Sequence, residues 1–143
     1  MTERSASRKA SKQVLLDTSF ILTLTRQHRD PCTEVRDLIP GKLTIFTMDL
    51  VILEMERLAR RGSATIAAEA NAGLALMEKA KISVVEHRPG PTEVDSALIA
   101  HALAERTPTA IATVDRELRK VLTADGIPTI WPTSHRRLLA NTL

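Results

Sequence analysis

The stretch Val14–Phe20, with the sequence VLLDTSF, decides how the chain is expected to fold. Three aliphatic residues follow a polar N-terminal dozen, and a short apolar run of this kind is typical of a buried β-strand. Asp17 comes directly after the run, where the strand should end. Because ligands of open α/β sheets bind beyond the carboxyl ends of the strands, Asp17 is placed where a functional group is expected.

The chain has 143 residues and one cysteine, Cys32. This length is typical of one domain with a substantial core, and we expect residues 13–143 to form it. A lone cysteine excludes an internal disulfide, which suits a reducing compartment. No segment resembles a secretory signal, and no apolar run approaches the ~20 residues of a membrane span. The sequence therefore predicts a soluble, cytoplasmic protein.

The formal net charge of +3 is concentrated at the N-terminus. Residues 1–12 form a basic, serine-rich arm that we expect to be flexible, while the remainder carries balanced charge. Such an arm is common in nucleic-acid-binding proteins, although a solvated tail has the same composition. Two phenylalanines, one tryptophan and no tyrosine argue against base recognition on an aromatic sheet face.

Strand-like and helix-like patterns alternate along the body of the chain. We predict strands at 14–16, 43–46, 82–85, 110–114 and 128–131, and helices at 19–26, 33–38, 48–61, 63–80, 92–105 and 115–124. This alternation predicts an α/β protein in which helices cover both faces of a five-stranded parallel sheet, a three-layer α/β/α architecture. The residues after 131 have no predicted form.

Glu54 occupies an unusual position for a carboxylate. Its neighbours one helical turn away are Leu50, Val51 and Leu58, so Glu54 should project from the apolar face of its helix. An unpaired carboxylate on such a face costs several kcal/mol, as buried charges generally do. Either a basic partner, a place at the edge of the core, or a functional role would explain it.

Three further acids are candidates for helix capping. Thr92 and Asp95 have the spacing of a capping box, with Thr92 opening the helix. Asp115 follows the fourth predicted strand and could cap the helix after it, and Asp49 could cap the Glu54 helix. For Asp95 and Asp115, capping and function both remain open at this point.

Four acids would converge if the first and fourth strands were neighbours: Asp17, Glu54, Asp95 and Asp115. Clustered carboxylates repel one another unless a divalent cation neutralises them. An all-oxygen donor set selects Mg²⁺ or Mn²⁺ over Zn²⁺. One or two such ions are the apparatus for hydrolysing phosphodiester bonds.

Four segments together resemble the PIN-domain nucleases, including the small archaeal PIN and VapC-like ribonucleases; they are Val14–Phe20, the Glu54 helix, Val94–Leu98 and Ile111–Leu118. The resemblance implies a PIN-like sheet of order 3-2-1-4-5. It also implies Mg²⁺- or Mn²⁺-dependent endonucleolytic hydrolysis of single-stranded RNA. The residues it implies are the metal-binding and catalytic acids Asp17, Glu54, Asp95 and Asp115, with Thr18, Ser19 and Thr113 supporting them.

Two positions depart from the family pattern. Val114 stands where relatives often have a polar residue such as asparagine, and Ser96 follows Asp95 where relatives often have a second acid. Both departures favour an alternative, a catalytically silent RNA- or protein-binding module such as a ribosome-biogenesis factor. Within the enzyme interpretation, a toxin and an rRNA-processing enzyme are both open. A toxin would have an antitoxin partner and would be expected to form a homodimer.

Several basic residues could hold an RNA backbone, or simply form solvated surface: Arg116, Arg119, Lys120, Arg136 and Arg137. Other classes of protein fit poorly. A receiver domain needs a second acid near Asp17, and dinucleotide or P-loop sites need glycine-rich loops that the sequence lacks. His28 and Cys32 have no second pair for a zinc site, and His101 is expected to be packed or exposed rather than catalytic.

Overall fold

The computed structural model describes residues 11–133 and 137–141. Most of the basic arm, Arg136 and the last two residues therefore lie outside the described residues. The described strands are β1 (Lys12–Leu16), β2 (Leu43–Met48), β3 (Ser83–Val85), β4 (Thr109–Ala112), β5 (Thr129–Pro132) and β6 (Leu138–Asn141). The described helices are α1 (Thr18–Arg26), α2 (Pro31–Leu38), α3 (Asp49–Arg61), α4 (Ala64–Lys79), α5 (Val94–Ala104) and α6 (Arg116–Ala124).

The strands form one mixed sheet of order β3-β2-β1-β4-β5-β6. The first five are parallel, which confirms the predicted order 3-2-1-4-5. The sixth, β6, pairs antiparallel with β5 and was not predicted. The side chain of Asn141 helps to hold β6, since its Oδ1 accepts hydrogen bonds from Thr129 N at 2.8 Å and Thr129 Oγ1 at 2.9 Å.

The core surrounds β1, which lies between β2 and β4. Val14, Leu15 and Leu16 are fully buried. The helices that cover the sheet also pack against one another. At Gly73, α4 comes so close to α3 that an added Cβ would lie 2.7 Å from Met55 Cε. None of the helices among the described residues is long and apolar enough to cross a membrane.

Several predicted boundaries shift by one or a few residues. Lys12, assigned to the arm, is the first residue of β1, and α1 begins at Thr18 rather than Ser19. Asp49 is the first residue of α3 and not its N-cap, a position that Met48 occupies. In each case the local pattern predicted the element, and its start differs by one or two residues, the range within which element ends ordinarily vary.

Candidate active site

The four acids lie at the carboxyl edge of the sheet and line one cleft of about 600 Å³. Asp17 follows β1, Asp115 precedes α6, Glu54 lies in the middle of α3, and Asp95 lies in the first turn of α5. The structure thus brings together residues from four separate elements, as expected from the adjacency of β1 and β4. The rest of the lining consists of Thr18, Ser19, Leu22, Leu58, Thr92, Glu93 and Val94.

Asp17 is the most enclosed of these acids, with 5% of its surface exposed. It occupies the N-cap position of α1 but makes no side-chain capping bond there. Instead, its Oδ2 accepts hydrogen bonds from Ser19 Oγ and Thr113 Oγ1, each at 2.7 Å. Burial raises the pKa of Asp17 above its ordinary value, and these two hydrogen bonds offset only part of that shift.

Ser19 and Thr113 also tie the end of β4 to α1. Ser19 Oγ accepts a hydrogen bond from Val114 N at 3.2 Å, and Thr113 Oγ1 accepts one from Asp115 N at 3.1 Å. The two hydroxyl oxygens lie 3.2 Å apart. Since each hydroxyl has one proton and directs it to Asp17, their mutual contact reflects proximity more than a further hydrogen bond. The predicted supporting role of Ser19 and Thr113 thus has a defined geometry.

Glu54 is half-buried at the edge of the core, next to the buried residues Val51 and Met55. The hydrogen-bond partner of the Glu54 carboxylate is a hydroxyl group rather than a basic side chain. Thr18 Oγ1 donates to Glu54 Oε1 at 2.5 Å. The supporting residues are therefore divided: Ser19 contacts Asp17, whereas Thr18 contacts Glu54.

The capping box predicted for α5 is wrong. Glu93, not Thr92, is the N-cap, and its carboxylate accepts hydrogen bonds from Ser96 N at 3.0 Å and Asp95 N at 3.3 Å. Ser96 Oγ also donates to it at 2.7 Å. Sequence patterns place Glu at the third helical position more readily than at the cap, so they gave no signal for this role.

Asp95 does not cap α5. Within the described residues its carboxylate has no hydrogen-bond or ion-pair partner. Its pKa rises to about 6 because it is partly buried and because Asp17, Glu93, Asp115 and Glu54 repel its charge. The Asp95 carboxylate is therefore surrounded by other carboxylates, and no basic side chain of the described residues forms an ion pair with it.

Asp115 does cap a helix, as one of the two interpretations expected. Its Oδ1 accepts hydrogen bonds from Glu117 N at 2.9 Å and Leu118 N at 3.2 Å, at the start of α6. It is also exposed to the cleft. Capping and lining the cleft are thus compatible, because the bonds use one carboxylate oxygen and the other is available.

The donor set fits a hard cation, but the acids do not converge on one point. Among residues 11–133 and 137–141, no three His, Cys, Asp or Glu side chains lie close enough together to hold one metal ion. Hydroxyls bind Asp17 and Glu54, and backbone amides bind Asp115. All donors are oxygens, the ligands that Mg²⁺ and Mn²⁺ prefer, and a divalent cation would offset the repulsion between their charges.

Two basic clefts flank the acidic one. Arg116, Arg119 and Lys120 line a cleft of about 610 Å³ on α6, next to Asp115. On the other side Arg57 and Arg60 line a cleft of about 340 Å³ that shares Glu54 with the acidic cleft. Arg57 and Arg60 were not among the basic residues predicted from the sequence. Their spacing was the available signal, because Arg57 is three residues from Glu54 and Arg60 is three residues from Arg57, and residues three or four apart on a helix are neighbours.

The remaining basic candidates and the histidines have other surroundings. Arg137 is exposed before β6, and Arg136 lies outside the described residues. His101 packs edge-on against Phe46, with ring centroids 5.6 Å apart, as expected for a packed histidine. His87 was not singled out from the sequence, yet its Nδ1 lies 2.9 Å from Asp49 Oδ2. This contact ties the segment after β3 to the start of α3.

The family of the chain follows from a match over most of its length. Residues 14–133 match the family model described as a PIN-like domain. The chain therefore belongs to the PIN-like domain family, which confirms the resemblance drawn from the sequence. No curated protein matches it in sequence.

Solved structures agree with this assignment at the level of the fold. The PIN domain endonuclease Utp24 superposes with a TM-score of 0.75 at 20% identity, covering 92% of each chain. A chain of VapBC2 from Rickettsia felis superposes with a TM-score of 0.56 at 13% identity. The structure of VapBC2 was solved bound to a DNA fragment from its promoter. That match covers 76% of this chain and 92% of the other.

Proposed function

We propose that the chain is a Mg²⁺- or Mn²⁺-dependent endoribonuclease that hydrolyses phosphodiester bonds in single-stranded RNA. The observation that carries the proposal is that Asp17, Glu54, Asp95 and Asp115, from four separate elements, line one cleft, and none of them forms an ion pair with a basic side chain of the described residues. Proteins accept such repulsion at a cost to stability, chiefly where charge is needed for binding or catalysis. The basic clefts on either side favour a polyanionic substrate.

The four carboxylates would hold one or two divalent ions, which would supply a lowered pKa for the attacking water and charge neutralisation at the leaving oxygen. Ser19 and Thr113 orient the Asp17 carboxylate and favour its ionised form against the effect of burial. Thr18 orients the Glu54 carboxylate through its hydrogen bond to Oε1. Asp115 is held by its capping bonds, and Asp95 has the largest unrelieved repulsion. Arg116, Lys120 and Arg137 would contact the RNA backbone, and Arg119 would contact the RNA from the same cleft as Arg116 and Lys120.

Cleavage of an end-labelled single-stranded RNA in Mn²⁺, in Mg²⁺ and in EDTA tests the proposal. Cleavage that needs the metal and disappears in Asp17→Asn is the expected result. Equal cleavage in EDTA, or in the folded Asp17→Asn variant, would overturn it. A circular RNA substrate distinguishes endonucleolytic cleavage, because an enzyme that needs a free end cannot act on it.

A second candidate is a catalytically silent RNA- or protein-binding module. One observation favours it: no three acidic side chains of the described residues converge on one ion position. Val114 and Ser96, where relatives often have a second polar or acidic residue, point the same way. RNA binding with no cleavage in Mn²⁺ across the range of pH where the acids are ionised would decide for this candidate.

Two biological roles follow from the activity, and they predict different partners. A toxin would arrest growth when expressed, would be neutralised by a small antitoxin encoded beside it, and is expected to be a homodimer. An rRNA-processing enzyme would instead leave unprocessed precursor RNA when depleted. Growth on induction and the mass in light scattering separate the two, and a cytoplasmic location is proposed for both.

A further inference from the structure

The cleft on α6 has an unusual combination of groups. It is lined by Arg116, Arg119, Lys120, Thr123 and Ala124 and has a volume of about 610 Å³. The lining residues recur at intervals of three and four, so they lie on one face of the helix. That face starts one residue after Asp115, which lines the acidic cleft. A chain crossing the acidic cleft would therefore reach this face next.

Arg119 is held in place by Trp131. The guanidinium carbon lies 4.0 Å from the centroid of the indole ring, a distance at which the cation interacts with the ring face. Trp131 does not line the cleft, whereas Arg119 does. Arg119 thus contacts both the indole and the cleft. A planar guanidinium backed in this way offers a flat surface on which another planar group can stack.

The remaining charges of the cleft suit phosphate. Within the described residues Arg116 has no ion-pair partner, and Lys120 Nζ contacts only Glu117 Oε1, at 3.5 Å, with both side chains largely exposed. Exposed pairs of this kind are weak and are readily exchanged for a phosphate. Two cations and a flat, supported guanidinium therefore face the same space.

We propose that this cleft is a nucleotide subsite, in which an unpaired nucleobase stacks on Arg119 while Arg116 and Lys120 contact the flanking phosphates. The identity of the ligand as single-stranded RNA rests on the proposed function. Bases in a duplex are already stacked and cannot present a face to Arg119, so the subsite selects single strands. It differs from the cleft of Arg57 and Arg60, because among the described residues only Arg119 has its guanidinium over an aromatic ring.

Trp131 is the only tryptophan of the chain, so its fluorescence reports directly on this site. The experiment titrates the full chain in EDTA with a short single-stranded RNA and, separately, with an abasic ribose-phosphate chain of the same length. The variants are Arg119→Lys, which keeps the charge but loses the planar group, and Arg116→Ala. The matched control is Arg106→Lys, an exposed arginine ahead of β4, at the opposite edge of the sheet.

RNA is expected to change the Trp131 fluorescence and to bind roughly fivefold or more tightly than the abasic chain, as stacking of one base would give. Arg119→Lys should remove that difference, Arg116→Ala should weaken both ligands alike, and Arg106→Lys should change neither. Equal binding of the two ligands by the unaltered chain, or an unchanged preference in Arg119→Lys, would overturn the subsite. Binding to Arg119→Lys is interpreted with its unfolding curve, which should match that of the unaltered chain.

The outcome is independent of cleavage, because the titration contains no metal. A base-dependent signal without metal-dependent cleavage would support the subsite and reject the nuclease. Metal-dependent cleavage without the base-dependent signal would do the reverse.

Discussion

The cleft has two sides that hold their carboxylates in different ways. On the sheet side, Asp17 is buried between β1 and β4 and accepts two hydrogen bonds from hydroxyls. On the helix side, Asp95 projects from α5 beside the cap residue Glu93 and has no such partner among the described residues. The pKa is raised on both sides. Burial is the main cause for each, but mutual repulsion adds to it chiefly at Asp95.

This difference separates what the fold supplies from what a ligand must supply. The sheet side is organised by contacts that also hold β4 against α1, so it does not depend on a cation for its geometry. The helix side has charge without counter-charge. Loss of a hydroxyl on the sheet side should therefore affect function and folding together, whereas substitutions on the helix side should act mainly through charge and metal affinity.

The largest effect is expected for Asp17→Asn. The amide keeps the shape but loses the charge, so metal-dependent cleavage should fall by at least about a hundredfold. Stability should not fall comparably, because the substitution removes a buried charge. Cleavage rates and unfolding by urea measure the two effects, with Asp37→Asn on the exposed face of α2 as the control. Retention of most of the activity would show that the sheet side is structural only.

Thr113→Val tests how much the fold relies on the sheet side. The substitution removes the donor to Asp17 and the acceptor for Asp115 N, so the protein should lose about 1–3 kcal/mol, the cost of leaving buried polar groups unpaired. Thr113→Ser keeps the hydroxyl and should recover most of this loss. Urea unfolding of both variants measures it. Equal destabilisation by serine and valine would mean that packing of the methyl group, not the hydroxyl, is responsible.

The sequence predicts more of the sheet side of the cleft than of the helix side. The strand before Asp17 was predictable because a short aliphatic run is typical of a buried parallel strand. The strand order was predictable only through the resemblance to the PIN-domain family. The separate contacts of Thr18 with Glu54 and of Ser19 with Asp17 were not predictable, because they depend on where α1 begins and on the direction of each hydroxyl. The strand β6 was missed for a similar reason, because it depends on pairing with β5 and on the contact of Asn141 with Thr129. The cap role of Glu93 was missed although its contacts with Asp95 and Ser96 are local, because Glu is not among the residues that N-cap patterns favour.

On the helix side, Asp95→Asn should raise the stability of the metal-free protein at neutral pH. The folded-state pKa of about 6 lies above the ordinary value of 3.8, so the folded protein binds the proton more tightly than the unfolded chain. Asp95 therefore destabilises the fold at pH above about 6, and this penalty disappears as the pH falls below the unfolded value. Melting temperatures should differ by a few degrees at most at pH 7.5 and converge near pH 4.

The same shift predicts how metal binding depends on pH. Because a cation and a proton compete for the Asp95 carboxylate, Mn²⁺ affinity should increase as the pH rises through about 6. Calorimetric titrations from pH 5 to 7.5 would show this, and the slope should flatten in Asp95→Asn. A slope that is the same in the variant would assign the proton to another group, Asp17 being the obvious one.

The smallest effect is expected for Glu93, and it distinguishes capping from charge. Glu93→Ala removes the acceptor of the Asp95 and Ser96 amides and should cost about 1 kcal/mol, as loss of an N-cap does. Glu93→Gln keeps an acceptor while removing the charge that repels Asp95, so it should cost less and should lower the pKa of Asp95. Urea unfolding gives the first quantity, and carboxyl chemical shifts against pH give the second. If Glu93→Gln and Glu93→Ala destabilise the protein equally while the pKa of Asp95 stays at about 6, the side-chain carbonyl oxygen at position 93 does not cap the helix. The charge of Glu93 then does not contribute to the repulsion of Asp95. The helix side would then owe its charge excess to Asp17, Asp115 and Glu54 alone, and the two sides of the cleft would be coupled more tightly than the contacts of α5 indicate.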